Sequence, residues 1–338
     1  MTKTVLVTGG SGYIAGFLIR ALVARGWHVN TTLRSLAREA EVRATLGVTQ
    51  EALTFFAADL LDDAGWAEAV AGCSHVAHVA SPFPAGAPKS DDELIVPARE
   101  GALRALRFAQ AAGVSRFVLT SSVAAVAYGH GSDVRAYTEA DWTDPTAPGV
   151  GAYIKSKTIA ERAARDWVAA QGGAMEFCSV NPSAVLGPLL SADFSTSIQI
   201  VQRLLDGSMP GTPRLGFAVV DVRDLAELHV RALETPGLDG ERFIAAGPFL
   251  WMKDVAAILR DGLGPQARKV PKRSIPDVVV RLLALFDSTI RQITGELGRT
   301  RAVDSGHALA RLGWQTRDVP TTILDTAHSL IERGIVKV

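Results

Sequence analysis

The chain has 338 residues, with 35 Lys and Arg against 35 Asp and Glu, and only two cysteines. Its length suits one large domain or two closely packed ones, and its balanced charge leaves no basic footprint for nucleic acid. Two cysteines argue against a disulfide scaffold and for a reducing compartment. The first strand pattern begins at residue 4, which leaves no room for a signal peptide, and the apolar stretch at 278–286 is too short and too charged to span a bilayer. We therefore expect a cytoplasmic protein with no membrane or nucleic-acid partner.

A strand, a glycine-rich turn and a helix open the chain. Residues 4–8 form a β-branched apolar run, the turn Gly-Gly-Ser-Gly follows at 9–12, and an apolar helical pattern starts at Tyr13. This order is typical of a dinucleotide-binding unit. In such a unit Gly9 allows the tight turn, and Gly12 lets a pyrophosphate approach N–H groups at the helix N-terminus. The turn alone could be a simple chain reversal, but the flanking strand and helix favour a nucleotide site.

The end of the second predicted strand indicates which nicotinamide cofactor is bound. Residues 27–33 form this strand, and Arg34 follows where an NAD site usually carries an acid for the ribose 2′-hydroxyl. The first acid beyond it is Glu39. A guanidinium can form charge-assisted hydrogen bonds with a 2′-phosphate, and Arg38 and Arg43 could assist from the next helix. We therefore predict NADP(H) as the preferred cofactor; NAD(H) would also be accepted if Arg34 is only solvated.

Three further strand patterns end in residues that suit the same edge of a sheet. The pattern at 53–60 ends in an acid, Asp59, which could accept a hydrogen bond from an adenine amino group. The pattern at 76–82 ends in small residues over which a ligand can lie, and that at 116–122 ends in hydroxyl groups. Sheets of this class bind ligands at the carboxyl ends of their strands, so Ser122 should face the cofactor. Taken alone, the serine cluster would suggest only a turn.

Tyr153 and Lys157 lie four residues apart on a predicted helix. That spacing places both side chains on one face, and an ammonium beside a phenol stabilises the phenolate. We therefore expect the pKa of Tyr153 to lie below its ordinary value of about 10. Such a phenol can exchange a proton with a carbonyl or alcohol oxygen near neutral pH. The pair alone could belong to a surface helix, but the nucleotide unit upstream favours a catalytic role.

These motifs resemble those of the extended short-chain dehydrogenase/reductase family, and the chain is similar to dihydroflavonol reductases and their bacterial aldehyde or ketone reductase relatives. The likeness is most specific over residues 4–190 and rests on motifs at 7–14, 32–34, 58–60, 78–82, 119–122, 153–161 and 181–183. It implies Ser122, Tyr153 and Lys157 as the catalytic set, with Lys157 rather than Lys155 at the matching position.

The resemblance and the strand ends together predict the ligand contacts. For the cofactor they are Thr8, Gly9, Ser11, Gly12, Tyr13, Ile14, Arg34, Asp59, Leu60, Val79, Ala80, Ser81, Thr120, Tyr153, Lys157, Pro182, Ser183 and Val185. For the substrate they are Phe83, Ala127, Tyr128 and Leu190. The predicted substrate pocket is mostly apolar, which indicates a hydrophobic or aromatic carbonyl compound.

The chain departs from the plant dihydroflavonol reductases at two places. Residues 123–128 contain no amide where those enzymes resemble one another in an Asn that contacts the flavonoid. This difference argues against a flavonoid substrate. Glu41 lies near the position where those enzymes use a lysine for the 2′-phosphate, which leaves Arg34 as the main support for NADP(H).

The alternation of strand and helix patterns predicts an α/β fold, a Rossmann-type doubly wound parallel sheet with a smaller C-terminal substrate-binding cap. We expect the NADP-binding domain to comprise residues 1–183 and about 215–247, and the cap to comprise about 184–214 and 248–338. Within the cap, residues 275–293 could form a helix that lines the cleft, packs in the core or contacts a second copy. A monomer and a homodimer both remain open.

The leading hypothesis is a reversible NADPH-dependent reductase of aldehydes or ketones with a small-molecule substrate. Ser122 would orient the carbonyl, Tyr153 would protonate the developing alkoxide, and Lys157 would bind the nicotinamide ribose. The alternatives are a nucleotide-sugar epimerase or dehydratase of the same superfamily and a non-catalytic NADP sensor. No metal site is predicted, because His75 and His78 are three apart on a strand and point to opposite faces.

Overall fold

A parallel sheet of seven strands forms the centre of the structure, a computed structural model that describes residues 3–81, 88, 90–131, 135–192, 194–286 and 293–338. In chain order the strands are β1 (Thr4–Val7), β2 (His28–Leu33), β3 (Leu53–Ala57), β4 (His75–His78), β5 (Arg116–Thr120), β6 (Glu176–Pro182), β7 (Ala184–Leu186), β8 (Gly216–Asp221), β9 (Arg242–Ala245) and β10 (Phe249–Trp251). The large sheet has the order β3-β2-β1-β4-β5-β6-β9, and its neighbouring strands are parallel. The order reverses between β1 and β4, as in a Rossmann-type sheet. The predicted fold class is confirmed.

Helices cover both faces of this sheet. In chain order, the helices of the described residues are α1 (Tyr13–Ala24), α2 (Glu39–Leu46), α3 (Trp66–Val70), α4 (Asp92–Ala111), α5 (Ala152–Gln171), α6 (Thr196–Asp206), α7 (Val222–Glu234), α8 (Met252–Leu263), α9 (Asp277–Leu283), α10 (Gly306–Leu312) and α11 (Val319–Glu332). In β1, Val5 and Val7 pack in the core that contains α1 and α7, whereas Leu6 packs in the core that contains α3 and α4. Successive side chains of a strand point to opposite faces, so an apolar run buries both sides of the sheet.

A second, smaller sheet has the order β10-β8-β7. Strand β8 pairs with β7 in parallel and with β10 in antiparallel orientation, and α6, α8 and α11 contribute to the core around it. The piece at 215–247 therefore contributes β8 to the small sheet and β9 to the large one. The division of the chain into a cofactor domain and a cap stays a prediction.

Some predicted elements are shorter in the structure. Strand β3 ends at Ala57, so Asp59 lies in the turn after the strand and not within it. Within the stretch at 275–293, α9 covers Asp277–Leu283 and Phe286 is 90% exposed, while residues 287–292 lie outside the described residues. Among the described residues, no helix has both the length and the apolar character needed to cross a membrane.

Candidate active site

The glycine turn between β1 and α1 forms a narrow cradle. Gly9 has a φ of +75°, and its N–H donates to Thr32 Oγ1 at 2.9 Å. The N–H of Gly12 donates to the Gly9 carbonyl at 2.8 Å, and a Cβ on Gly12 would lie 3.1 Å from that oxygen. Since α1 begins at Tyr13, the N–H groups of Tyr13 and Ile14 have no intrahelical acceptor and can bind an anion. The cradle therefore fits the pyrophosphate of a dinucleotide.

Thr8 holds the ends of β1 and β4 together at the point where the strand order reverses. Its hydroxyl accepts from the N–H groups of Val79 at 3.0 Å and Ala80 at 2.9 Å, and it pairs with His78 Nδ1 at 3.1 Å. Burial lowers the pKa of His78 to about 3, so this ring is neutral. The Thr8 hydroxyl forms these hydrogen bonds with β4 and the residues directly after it. The predicted contact of Thr8 with a cofactor would therefore have to come from its backbone.

The arginines that follow β2 differ in how they are held. Arg34 directly follows the strand and is exposed. Arg38 forms two hydrogen bonds with Glu41, at 3.1 and 2.9 Å. Arg43 bonds to Glu39 at 2.9 Å and also to backbone carbonyls, which fixes it against its own helix and the adjoining chain. The exposed position of Arg34 suits a 2′-phosphate best.

A cavity beside the glycine turn is lined by Ser11, Gly12, Arg38 and Leu190, among other residues. Leu190 approaches α1 so closely that a Cβ on Gly16 would lie 3.0 Å from its Cδ1. This position places Leu190 beside the predicted pyrophosphate cradle. Its predicted contact with the substrate remains untested.

Asp59 and Leu60 lie in the turn after β3. One carboxylate oxygen of Asp59 accepts from the N–H of Leu61 at 2.8 Å, and its backbone carbonyl accepts from Trp66 Nε1 at 2.8 Å. Leu60 packs on α4, where a Cβ on Gly101 would lie 2.9 Å from its Cδ2. The turn is thus held by Trp66 of α3 and by the packing of Leu60 on α4. Asp59 itself is half-exposed at the edge of the sheet.

Ser122, Tyr153 and Lys157 converge at the carboxyl end of β5. Ser122 caps a short 3₁₀ turn by accepting from the Ala124 N–H at 3.1 Å, and it shares a hydrogen bond with the Tyr153 hydroxyl. The Lys157 ammonium lies 5.9 Å from the centroid of the Tyr153 ring and donates to Ser81 Oγ at 3.0 Å. The structure therefore brings the three predicted catalytic side chains together.

Burial acts in opposite directions on the two titrating groups of this trio. It raises the pKa of Tyr153 above its ordinary value, and the hydrogen bond with Ser122 opposes this shift. It lowers the pKa of Lys157 to about 8, against the attraction of Glu161. The predicted fall in the Tyr153 pKa is wrong, because the effect of burial exceeds that of the hydrogen bond with Ser122. The phenol is therefore protonated at neutral pH and can donate a proton.

The hydroxyls of Thr120 and Ser121, which directly precede Ser122, bond to side chains other than those of Tyr153 and Lys157. Thr120 Oγ1 lies 2.8 Å from Nε2 of the buried His229, which belongs to α7. Ser121 donates to the carboxylate of Glu161 on α5 at 2.5 Å. The side chain of Thr120 therefore faces α7, and its predicted cofactor contact is left to its backbone.

The end of β6 lies beside Ser122. The Pro182 carbonyl accepts from Ser122 Oγ at 3.4 Å, and Ser183 is anchored by its N–H to the Ala245 carbonyl at 3.0 Å. The Ser183 hydroxyl is buried and has no hydrogen-bond partner within the described part of the chain. A buried hydroxyl of this kind fits a polar group of a bound nicotinamide. Val185, a further predicted cofactor contact, is buried in the core.

Tyr128 is the predicted substrate residue that approaches the catalytic trio, since its phenol interacts electrostatically with Tyr153. The Arg301 guanidinium lies 4.9 Å from the centroid of its ring, pairs with Glu296 at 2.9 Å and donates to the Ala127 carbonyl at 3.0 Å. Burial raises the pKa of Tyr128 to about 12. Ala127 itself is 1% exposed in a packed cluster, so a direct substrate contact from its side chain is not favoured.

Phe83, the remaining predicted substrate residue, lies outside the described residues. The structure adds two features to which the sequence gave no role at a reductase site, the Arg301–Glu296 pair and the buried carboxylate of Glu161. Glu161 could have been noticed from its position four residues after Lys157, whereas Arg301 has no local signal.

Comparison with known proteins agrees with this geometry. Residues 5–246 match the model of the NAD dependent epimerase/dehydratase family. A cinnamoyl-CoA reductase of Medicago truncatula is 35% identical over 269 residues, which cover 77% of this chain and 80% of the relative.

Two solved structures share the fold. Yeast methylglyoxal/isovaleraldehyde reductase complexed with NADPH aligns with a TM-score of 0.80 and 24% identity, over 98% of this chain and 100% of the other. UDP-glucose-4-epimerase of Stenotrophomonas maltophila with bound NAD aligns with a TM-score of 0.79 and 21% identity, over 98% and 99%. The chain belongs to the NAD dependent epimerase/dehydratase family, the extended short-chain dehydrogenase/reductases, and the prediction of a nicotinamide-dependent oxidoreductase is confirmed at the level of this family.

Proposed function

We propose that the protein is an NADPH-dependent reductase that converts an aldehyde or ketone to an alcohol in a reversible reaction. The observation that carries this proposal is the convergence of Ser122, Tyr153 and Lys157 beside the glycine cradle. The names of two similar proteins, a cinnamoyl-CoA reductase and a yeast reductase complexed with NADPH, support the same class of reaction.

The chain's own residues would bind the carbonyl, orient it and supply a proton. Bound NADPH supplies the hydride that is added to the carbonyl carbon. Ser122 donates a hydrogen bond to the carbonyl oxygen, and Tyr153 transfers its phenolic proton to that oxygen as negative charge develops there. Lys157, whose ammonium is held by Ser81, binds the nicotinamide ribose. The Ser183 hydroxyl bonds to the nicotinamide.

The substrate is a hydrophobic or aromatic carbonyl compound that lies against Tyr128. A raised pKa keeps the Tyr128 phenol neutral, so it can donate a hydrogen bond without adding charge to the pocket. The cap, formed by about 184–214 and 248–338, closes over the nicotinamide. Arg301 supports this role, because it reaches from the cap to the Ala127 carbonyl.

The epimerase alternative is weaker because two of the four arginines that could bind a sugar diphosphate, Arg214, Arg291, Arg299 and Arg301, already pair with carboxylates. Arg214 pairs with Asp277 at 2.6 Å, and Arg301 pairs with Glu296. An epimerase retains its NAD through a catalytic cycle. Purified protein that carries tightly bound NAD and does not oxidise NADPH with any carbonyl compound would favour the epimerase.

The proposal is tested by measuring NADPH and NADH oxidation over a panel of aliphatic, aryl and diketone substrates. We expect turnover with NADPH and a preference for apolar or aryl carbonyls. A protein that binds NADPH but turns over no member of the panel would instead be the NADP sensor.

Arg34→Ser tests the basis of the cofactor preference. A charge-assisted hydrogen bond contributes about 1.5–3 kcal/mol, so the variant should bind NADPH about tenfold or more weakly while its affinity for NADH hardly changes. Arg268→Ser, which removes another exposed arginine, is the matched control. Equal losses for NADPH and NADH would show that Arg34 does not contact the 2′-phosphate.

A further inference from the structure

A fully buried carboxylate lies one helical turn beyond Lys157. Glu161 is 0% exposed and is four residues further along α5, so its side chain lies on the same helix face. Lys157, Glu161, His78 and Ser121 line one cavity between the sheet and the helices. Moving a carboxylate from water into the protein interior raises the free energy, and hydrogen bonds and ion pairs around the carboxylate must offset that increase.

Four donors surround the carboxylate at hydrogen-bond distance. They are Ser121 Oγ at 2.5 Å, Ser179 Oγ at 2.7 Å, Asn181 Nδ2 at 2.8 Å and Arg242 Nε at 2.8 Å. Arg165 adds a longer ion pair at 3.5 Å. These groups come from β9, from β6, from the residue after β5 and from α5, so the carboxylate joins four parts of the fold.

Two of these donors lead directly to Ser122. Ser121 is its neighbour in the chain, and Asn181 uses its amide nitrogen both for Glu161 and for the Ser122 carbonyl, at 3.1 Å. The backbone of Ser122 is therefore fixed from two directions by groups that Glu161 holds. Movement of the carboxylate would displace the hydroxyl that orients the carbonyl.

Glu161 also supplies the negative charge nearest to Lys157 among the described groups that face it. From α5 the neighbours are the protonated Tyr153 and Glu161, and from β4 the neighbour is His78, which burial keeps neutral. From α4, the small apolar residues Ala98 and Ala102 line the shared cavity. The attraction of Glu161 raises the pKa of Lys157 against the effect of burial.

We infer that Glu161 is a positioning residue for the reaction, which fixes Ser122 through Ser121 and Asn181 and supplies the buried counter-charge for Lys157. Glu161 touches neither substrate nor cofactor in this account. The inference rests on the proposed function, because it assigns its effect to residues placed in that mechanism.

The test is the pH dependence of NADPH affinity, followed by the fluorescence of the bound cofactor, because this readout needs no turnover. Affinity of the wild type should fall above about pH 8 as Lys157 loses its proton. In Glu161→Gln the fall should begin about one pH unit lower, and Glu161→Asp, which keeps the charge, should restore the wild-type profile.

Glu161→Gln leaves the buried Arg242 without its counter-charge, so a second variant removes both ions. The double variant Glu161→Gln/Arg242→Gln should fold and shift the profile in the same direction by a smaller amount, because loss of the Arg242 charge partly offsets loss of the carboxylate. Ser179→Ala removes a partner of Glu161 but no charge, and should keep the wild-type profile. A wild-type profile in the double variant, or an equal shift in Ser179→Ala, would overturn the role of Glu161 as counter-charge.

At pH 6 Lys157 is charged in the wild type. Measuring turnover at this pH therefore separates the displacement of Ser122 from the loss of the Lys157 charge. There Glu161→Gln should lower kcat by about tenfold to a hundredfold, as expected for a misplaced orienting group. An unchanged kcat would overturn the positioning of Ser122. A wild type that binds NADPH with the expected profile but reduces no carbonyl would contradict the proposed function alone.

Discussion

At the scale of single residues, burial separates the charge states of Tyr153 and Lys157. The buried phenol keeps its proton to higher pH than an ordinary tyrosine, while the buried ammonium loses its proton at about pH 8. Both groups are therefore in the form that reduction requires at neutral pH. Lys157 is the group that limits this range on the alkaline side.

This difference predicts the pH profile of the reductase. Reduction needs the protonated form of both groups, so kcat/KM should be level below about pH 8 and then fall by about tenfold per pH unit as Lys157 titrates. The measurement is the rate of NADPH oxidation between pH 5 and pH 10 at low substrate concentration. A profile that is level up to pH 10 would show that the charge of Lys157 is not required.

The side-chain directions at the end of β5 were not predictable from the sequence. The pattern at 116–122 indicated a strand that ends in hydroxyls, yet these hydroxyls bond to two different helices, Thr120 to α7 and both Ser121 and Ser122 to α5. Regular alternation would place Thr120 and Ser122 on one face, but the strand ends at Thr120 and the chain turns. Which hydroxyl reaches Tyr153 depends on this turn and on α5, which lies some 30 residues further along the chain.

At the scale of elements, the glycine turn depends on both backbone conformation and close approach. Gly9 and Gly26 have nearly the same positive φ, +75° and +80°. A Cβ on Gly9 would lie 3.1 Å from Ala80 Cβ, whereas a Cβ on Gly26 would meet nothing within 4 Å. Substituting each glycine in turn therefore distinguishes the effect of backbone strain from the effect of crowding in the ligand crevice.

We expect Gly9→Ala and Gly26→Ala each to lower the free energy of unfolding by about 1–2 kcal/mol, the cost of a left-handed backbone for a residue with a Cβ. Only Gly9→Ala should also weaken NADPH binding, because it pushes apart the ends of β1 and β4. Denaturant unfolding and cofactor titration measure the two effects. Undiminished cofactor affinity in Gly9→Ala would mean that the crevice lies elsewhere.

At the scale of the whole molecule, the large sheet was predictable and the contacts between distant segments were not. Strands and helices of the first 180 residues have clear local patterns, and the family motifs lie there. Arg301 approaches Tyr128 and Ala127 from more than 170 residues away, and Arg242 reaches Glu161 from β9. Such contacts follow from the folding of later elements onto the sheet, which no local pattern specifies.

The folded chain thus places the predicted proton donor at the edge of the sheet where the glycine cradle also lies. The central claim is that the Tyr153 hydroxyl protonates the carbonyl oxygen. Tyr153→Phe removes that hydroxyl and leaves the ring that packs beside Lys157.

The most direct test compares NADPH affinity and kcat for carbonyl reduction in the wild type and in Tyr153→Phe. Loss of a positioned proton donor should lower kcat by about 10²–10⁴-fold. Cofactor affinity should stay close to that of the wild type, because the glycine cradle and Lys157 are intact. A variant that binds NADPH and still reduces carbonyl substrates at the wild-type rate would contradict the account.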